Sequence, residues 1–366
     1  MIKQGAILES LQDEIVSGKL KPGGRMPTRD ELEKHFGVSR VTLQRAFDRL
    51  MRDGFIVSKG NRGTFVSETP PHLSSYALVF PFTPDDPSWS RFWTALSDEA
   101  VTLARTSRIK ISCYYEVNGS TDCEDYQRLL HEVRARRLAG MIFSSMSESL
   151  LNTPLMEESG TPRVAIMLPR PGCQMPAVYP DLCSFMDLAL DSLLARGRRR
   201  VALVGNINNV LWTQMVEYLV EGMKARGMEF RPYWAQLVDC SSALRTVHLL
   251  MHNEQKTRPD GLIIADDNLV EHSTAGLLAA GVRVPEDAEV VAHCNFPWPA
   301  PSVVPVQRLG FDARQVMAAC VESIDMQRRG ETPPAFVSIR ALFENEVGVP
   351  AGGRDEIGVR PGRLKV

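Results

Sequence analysis

From residue 76 to residue 293 short apolar runs alternate with longer amphipathic stretches, and no other feature restricts the fold of this chain as strongly. The runs at 76–80, 109–115, 140–143, 163–168, 201–204, 234–238, 261–265 and 290–293 have the length and the β-branched and aromatic content of buried strands. The intervening stretches at 89–106, 124–137, 150–158, 184–196, 212–226, 241–253 and 268–280 carry apolar residues at helical spacing. Regular alternation of this kind belongs to parallel sheets, because a parallel strand pair needs a crossover long enough to hold a helix. About 270 residues of it are too many for one sheet and fit a two-lobed body. Ligands of such α/β folds bind beyond the carboxyl ends of the strands.

The N-terminal segment 1–67 follows a different pattern. Ile7, Leu8, Leu11 and Ile15 recur at helical spacing, and Gly18 with Pro22-Gly23-Gly24 stops that helix. Thr28 and Glu31 have the spacing of a capping box, so a second helix starts there, buries Leu32 and Phe36 and ends at Gly37. Ser39 is placed to cap a third helix whose stripe is Leu43, Ala46, Phe47 and Leu50. Arg40, Val41, Gln44, Arg45, Asp48 and Arg52 point away from that stripe. Gly54 closes the helix, and 55–57 and 64–66 are β-prone runs flanking the basic turn 58–63. Three helices followed by a hairpin make a winged helix-turn-helix. Residues 1–67 are therefore one small domain, 68–75 (Glu-Thr-Pro-Pro-His-Leu-Ser-Ser) an extended linker, 76–345 the two-lobed body, and 346–366 a polar, disordered tail.

The residue types of this head suit duplex DNA. A helix N-terminus with free amides and the hydroxyls of Thr28, Ser39 or Thr42 accepts a phosphate. Arg29, Arg40, Gln44 and Arg45 can reach base edges in the major groove. The tip Lys59, Asn61, Arg62, Gly63 and Thr64 is slim and basic enough for the adjacent minor groove. Each piece alone is commonplace; it is their order within one short segment that carries meaning.

Two segments bear a family resemblance. Residues 15–32 (Ile-Val-Ser-Gly-Lys-Leu-Lys-Pro-Gly-Gly-Arg-Met-Pro-Thr-Arg-Asp-Glu-Leu), 36–50 and Gly60-Asn-Arg-Gly-Thr-Phe-Val66 resemble GntR-family DNA-binding domains. The resemblance implies DNA contacts at Thr28, Arg40, Thr42 and Gly63. Arg29-Asp30 stands where that family usually has Glu-Arg, and Gln44 where it commonly has Arg, which implies a different base preference. Residues 193–205, 259–267 and 281–292 resemble the LacI/GalR sensor domain, which is built like a periplasmic sugar-binding protein; the combined arrangement is similar to that of arabinose repressors. That resemblance implies a homodimer on a palindromic operator and a small-molecule effector, of carbohydrate type, between the lobes. In this register Met215 and Cys294 occupy the places of the sugar binders' Arg and Asp, and Asp266 that of an Asn. The residues left to line a pocket are Trp89, Phe92, Trp212, Asp266, His293 and Asn295, with Asp267 expected to cap the following helix.

Composition limits the alternatives. The net charge of −2 divides into 12 − 9 = +3 over residues 1–72 and hence −5 over the remainder. Seven cysteines without a Cys-x-x-Cys spacing suggest reduced thiols and neither a disulfide framework nor a zinc site. No apolar run reaches the ~18 residues of a membrane span, and the start lacks a signal peptide's apolar core, so a cytoplasmic, membrane-free protein is expected. No cofactor motif is present: the lysines beyond 76 are Lys110, Lys224, Lys256 and Lys365, and none has an active-site setting. A non-enzymatic regulator is therefore expected. A ligand-independent dimeric DNA binder, whose body only dimerises, is the principal alternative, and an enzyme fused to the head the second.

Overall fold

The computed structural model describes residues 4–168 and 175–348. The tail reading at 346–366 thus falls, beyond Gly348, outside the described residues. The head consists of α1 (Gln4–Val16), α2 (Arg29–Phe36), α3 (Arg40–Arg52), β1 (Ile56–Ser58) and β2 (Thr64–Val66). Ile7, Leu11 and Ile15 of α1 meet Leu32, Leu43, Ala46, Phe47 and Leu50 in a core closed by Phe55, Ile56 and Val66 of the hairpin. At about 1.5–3 kcal/mol for each fully buried large aliphatic or aromatic side chain, this cluster is the main source of stability in so small a domain. The hairpin is antiparallel, with Ile56 opposite Val66 and Ser58 opposite Thr64.

Next come α4 (Pro71–Ser74), β3 (Ser75–Val79), α5 (Arg91–Thr106), β4 (Lys110–Tyr114), α6 (Glu124–Arg134), β5 (Gly140–Phe143), α7 (Glu148–Leu151), α8 (Pro154–Glu157) and β6 (Arg163–Ile166). The chain continues through β7 (Ala177–Asp181), α9 (Leu182–Ala195), β8 (Val201–Asn206), α10 (Trp212–Ala225), β9 (Ala235–Val238), α11 (Cys240–Met251), β10 (Gly261–Ile264) and α12 (Val270–Ala279). It ends with β11 (Glu289–Phe296), β12 (Gln307–Asp312), α13 (Ala313–Arg328), β13 (Phe336–Arg340) and β14 (Leu342–Phe343). Apart from the β1-β2 ribbon, the strands form two six-stranded sheets, ordered β13-β7-β6-β5-β3-β4 and β14-β12-β11-β10-β8-β9. The described strand pairs of both sheets are parallel except β12 with β14. The body is thus the two-lobed α/β architecture that the alternation implies.

Two compact units emerge from the contacts: Met1–Thr83 with Ala100–Val164 and Ile324–Thr332, and Pro84–Glu99 with Ala165–Ser323 and Pro333–Val366. In the first, β3 pairs with both β4 and β5, and the hydroxyl of the buried Tyr76 donates to Asp325 at 2.7 Å. In the second, Ala202, Val204, Leu262, Ile264, Val290 and Ala292 face Val247 and Leu277 of the covering helices in one buried cluster. Gly310 of β12 lies opposite Cys294 of β11, and a Cβ there would come 1.9 Å from the Cys294 carbonyl oxygen.

Three expectations change. The helix expected at 150–158 is two short turns, α7 and α8, because Pro154 lacks the N–H needed to continue a helix and starts a new one. The linker is not wholly extended: Pro71 occupies the first turn of α4, and His72 is buried with its ring stacked on Phe55 at 5.9 Å. The segments β7, β12, α13, β13 and β14 belong to the fold but went unread in the sequence.

Gly310→Ala should destabilise the second unit by roughly 2 kcal/mol or more, since the obstacle is a backbone oxygen that cannot swing aside; thermal unfolding of the purified variant checks this. Burial, with the Arg328 guanidinium adding to it, holds the His72 imidazole down at about 4, below its ordinary 6.5. The unfolded chain therefore binds the extra proton between these values. This group's contribution to stability is complete above about 6.5 and falls as the pH drops towards 4. Urea melts at pH 5 and pH 7.5 should show a smaller pH dependence in His72→Phe than in the wild type.

Candidate nucleic-acid interface and ligand site

Both helices that frame the head's outer face begin with the caps expected for them. Thr28 Oγ1 accepts from the Glu31 amide at 3.4 Å and Glu31 Oε2 accepts from the Thr28 amide at 2.7 Å, completing the capping box. These bonds hold the Glu31 carboxyl below its usual range. Gly37 ends α2 at φ 62°, a left-handed geometry that glycine adopts without strain. Ser39 Oγ caps α3 through the Thr42 amide at 3.4 Å and lies 3.1 Å from Thr42 Oγ1, so the two hydroxyls share the first turn of the helix.

Along α3 the stripe Leu43, Ala46, Phe47 and Leu50 is buried, while Arg40 and Arg45 are exposed and Gln44 is half-buried. Arg29, with its guanidinium 5.5 Å from the Phe47 ring centre, bonds to Gln44 Oε1, and Gln44 Nε2 donates to Asp48 at 2.6 Å. Arg29 and Gln44 are therefore oriented by each other, whereas no ion pair among the described residues holds Arg40 or Arg45. Val41, on the first turn of α3, is 63% exposed. An apolar side chain there suits a thymine methyl; the sequence pattern turns Val41 outward but does not mark it as a contact, because it is neither polar nor charged.

The wing brings Lys59, Asn61, Arg62, Gly63 and Thr64 to one tip. A short 3-10 turn, Gly60–Arg62, closes it with the Gly63 amide donating to the Gly60 carbonyl at 3.0 Å. Gly63 has φ 102°, and a Cβ there would meet the Arg25 guanidinium at 3.4 Å. Lys59, Asn61 and Arg62 are exposed, and the Lys59 amine sits 5.0 Å from the Phe65 ring centre. Cationic and hydroxyl groups thus cover most of the exposed face of α3 and the hairpin tip, with the apolar groups other than Val41 turned inward, as a phosphate-positioning and base-reading surface requires.

The second unit holds a different cluster, at the carboxyl ends of β10 and β11. Asp267 is 4% exposed and accepts from Asn295 Nδ2 at 2.7 Å. Arg91 Nε lies 3.9 Å from one of its oxygens and His293 Nδ1 3.9 Å from the other. Burial pushes the Asp267 carboxyl up, and His293, Asn295 and Arg91 only partly oppose this. Asn295 Oδ1 and His293 Nδ1 are buried without a hydrogen-bond partner among the described residues. His293 is flanked by the rings of Phe185 and Phe311 at 5.5 and 5.6 Å. A buried carboxylate facing an arginine, beside unpaired amide and imidazole atoms, presents the convergent donors and acceptors that a hydroxyl-rich molecule satisfies.

The structure reverses the two aspartates. Asp266 is the cap, accepting from the Asn268 amide at 2.8 Å, and Asp267 is the buried carboxylate. Arg91 was missed because it starts α5, far upstream of its partner and remote in sequence from any pocket motif. Of the aromatics, Trp89 donates to Thr94 Oγ1 at 2.8 Å and meets Trp93 edge-on. Trp212 covers Gly205, where a Cβ would fall 2.4 Å from its ring, and Phe92 is half-buried on α5. Among the described contacts, Asp267 joins His293 and Asn295 to Arg91 but brings none of the three aromatics to the cluster. Met215 and Cys294 are core residues, each 1% exposed, and burial pushes the Cys294 thiol up to about 12. Among the described residues no three side chains form a metal site, and no helix is long and apolar enough to cross a membrane.

Residues 3–66 match the bacterial regulatory proteins of the gntR family, and residues 190–341 match the periplasmic binding protein-like domain. The chain is accordingly a DNA-binding transcription regulator that carries a GntR-type helix-turn-helix head on a periplasmic-binding-protein-like body. It is similar to the arabinose metabolism transcriptional repressor of Halalkalibacterium halodurans, at 20% identity over 92% of this chain and 93% of that protein. The repressor of the same name from Geobacillus stearothermophilus is 21% identical over 87% of this chain and 90% of its own. Among solved structures, a LacI-family regulatory protein from Chloroflexus aggregans shares the body's fold, with a TM-score of 0.58 at 15% identity over 74% of this chain and 96% of that one.

Arg40→Ala should weaken binding to the operator recovered by genome footprinting by about tenfold or more at fixed salt, with the unfolding midpoint unchanged, since the side chain is exposed. Fluorescence anisotropy with labelled duplex measures it, and wild-type affinity would remove α3 from the interface.

Proposed function

We propose that the chain is a cytoplasmic, non-enzymatic repressor of sugar-metabolism genes, dimeric on a palindromic operator and switched by a sugar or similar polyol bound against Asp267. The DNA contacts are assigned to Thr28, Arg29, Ser39, Arg40, Thr42, Gln44 and Arg45 and to the wing residues Lys59, Asn61, Arg62, Gly63 and Thr64. The observation that carries the effector assignment is the Asp267 cluster. Its carboxylate has lost most of its hydration, while Asn295 Oδ1 and His293 Nδ1 have no hydrogen-bond partner among the described residues. Ligand hydroxyls would satisfy all three and recover hydrogen-bonding energy that the ligand-free site forfeits. Arg91 takes the place of the arginine missing at Met215, so an arginine–carboxylate pair is kept with a different chain origin. In a dimer, two heads must match half-sites spaced by about one helical turn or a multiple of it. An effector that binds one arrangement of the body more tightly than the other therefore shifts operator affinity.

A second reading is favoured by Met215 and Cys294, which bury apolar surface where sugar binders keep polar groups. Under it the body only dimerises and no effector exists. Thermal-shift titration with monosaccharides separates the two. A pentose or hexose should stabilise the wild type saturably, and Asp267→Asn should weaken that binding about tenfold or more. A panel in which no sugar shifts either unfolding or operator affinity would leave the ligand-independent reading in its place.

A further inference from the structure

Within the first unit, three consecutive residues after α6 all touch the head. The Ala135 carbonyl accepts from Gln12 Nε2 of α1 at 3.4 Å, and Arg136, at φ 54°, pairs with Asp13. Arg137 is the more enclosed of the two arginines, its side chain 14% exposed against 52% for Arg136. Its Nη1 donates to Asp53 Oδ1 at 2.8 Å, while Nε and Nη2 grip Glu132 at 2.8 and 2.7 Å. Asp53 is the residue that ends α3. Its second oxygen accepts from Arg49 of α3 at 2.8 Å, and its side chain is 5% exposed. One carboxylate is thus held on one side by the helix that presents Arg40 and Arg45, and on the other by the body.

The apolar contacts beside this carboxylate are few: His72 stacks on Phe55 and Pro71 lies against Gly54. The space beside it is a cavity of about 520 Å³ lined by Arg49, Arg52, Ser75, Lys110, Ser112 and Tyr114 among others, mostly polar groups. Close ion pairs on Asp53 therefore set the direction of the end of α3 against the body, beside the stacked His72 and Phe55 rings. A planar guanidinium with its donors in a fixed fork sets direction as well as distance, which a lysine would not.

We propose that Arg137 is a positioning residue for operator recognition: from the body, it fixes the pose of α3 through Asp53. This rests on the reading above that α3 lies in the major groove and that two heads act together. Heads held in one pose accept one half-site spacing, whereas released heads, tethered only through 67–74, tolerate several.

The test uses the full chain. Without DNA, the rate of cleavage by a broad-specificity protease within 67–74 is measured for wild type, Arg137→Gln, Asp53→Asn and the double variant. Each single change should raise the rate about fivefold or more, and the double should be no faster than the faster single, because both remove one interaction. Arg136→Ala, which cuts a solvent-exposed pair, should stay near the wild type. Arg137→Lys should fall between wild type and Arg137→Gln. Operators with half-site spacings altered by about five base pairs, half a helical turn, give the second readout. The wild type should lose at least tenfold in affinity, and Arg137→Gln markedly less. Unchanged cleavage in Arg137→Gln, or single effects that simply add in the double, would overturn the proposal. Should Arg137→Gln fail to fold by circular dichroism, Asp53→Asn alone decides. Sedimentation of the wild type as a monomer would remove the dimer reading, and the cleavage rates would still decide the latch.

Discussion

Burial of one stripe of α3 is the constraint on which the working of the head depends. Leu43, Ala46, Phe47 and Leu50 are inserted against α1 and the hairpin with essentially no exposed surface. With one face of the helix so committed, the opposite face is fixed in solvent, and Arg40, Val41 and Arg45 have only one direction to point. The caps at Thr28 and Ser39 then set where α2 and α3 begin, so the hydroxyls and the exposed cationic side chains keep a constant register. Surface chemistry is in this sense a by-product of packing: the interior decides which residues are left to face solvent.

The body manages its polar groups by an opposite logic. Its sheets are parallel apart from β12 with β14, and their central strands β5, β8 and β10 are almost wholly buried, which leaves few places there for a buried charge other than beyond the strands' carboxyl ends. Asp267 is such a charge. It is too buried to be stabilised by water, and the Arg91 guanidinium stands no closer than 3.9 Å. A structural carboxylate such as Asp53 is satisfied at both oxygens by close arginine donors, at 2.8 Å each. The contrast between the two aspartates separates a group kept for architecture from one left with unmet demand.

Much of this was legible in the chain itself. The stripe on α3, the capping box at Thr28 and Glu31, the glycines ending α2 and turning the wing, and the alternation from 76 to 293 are all local signals that short stretches of backbone dictate. They determined the head's architecture, the parallel sheets and, through Ser39, Arg40 and the basic wing, the character of the interface. The strands β7, β12 and β13 escaped because proline, glycine and polar residues interrupt their apolar pattern, and β14 because two residues make no pattern; their neighbours hold them in place. Tertiary structure alone decided that Asp267 rather than Asp266 is buried, that Arg91 faces it from a distant part of the chain, and that Arg137 grips Asp53. The physical reason is the same in each case. Helix caps and stripes are short-range, set by bonds within a turn or two, whereas the environment of a charge depends on every element folded around it, and no local spacing encodes that.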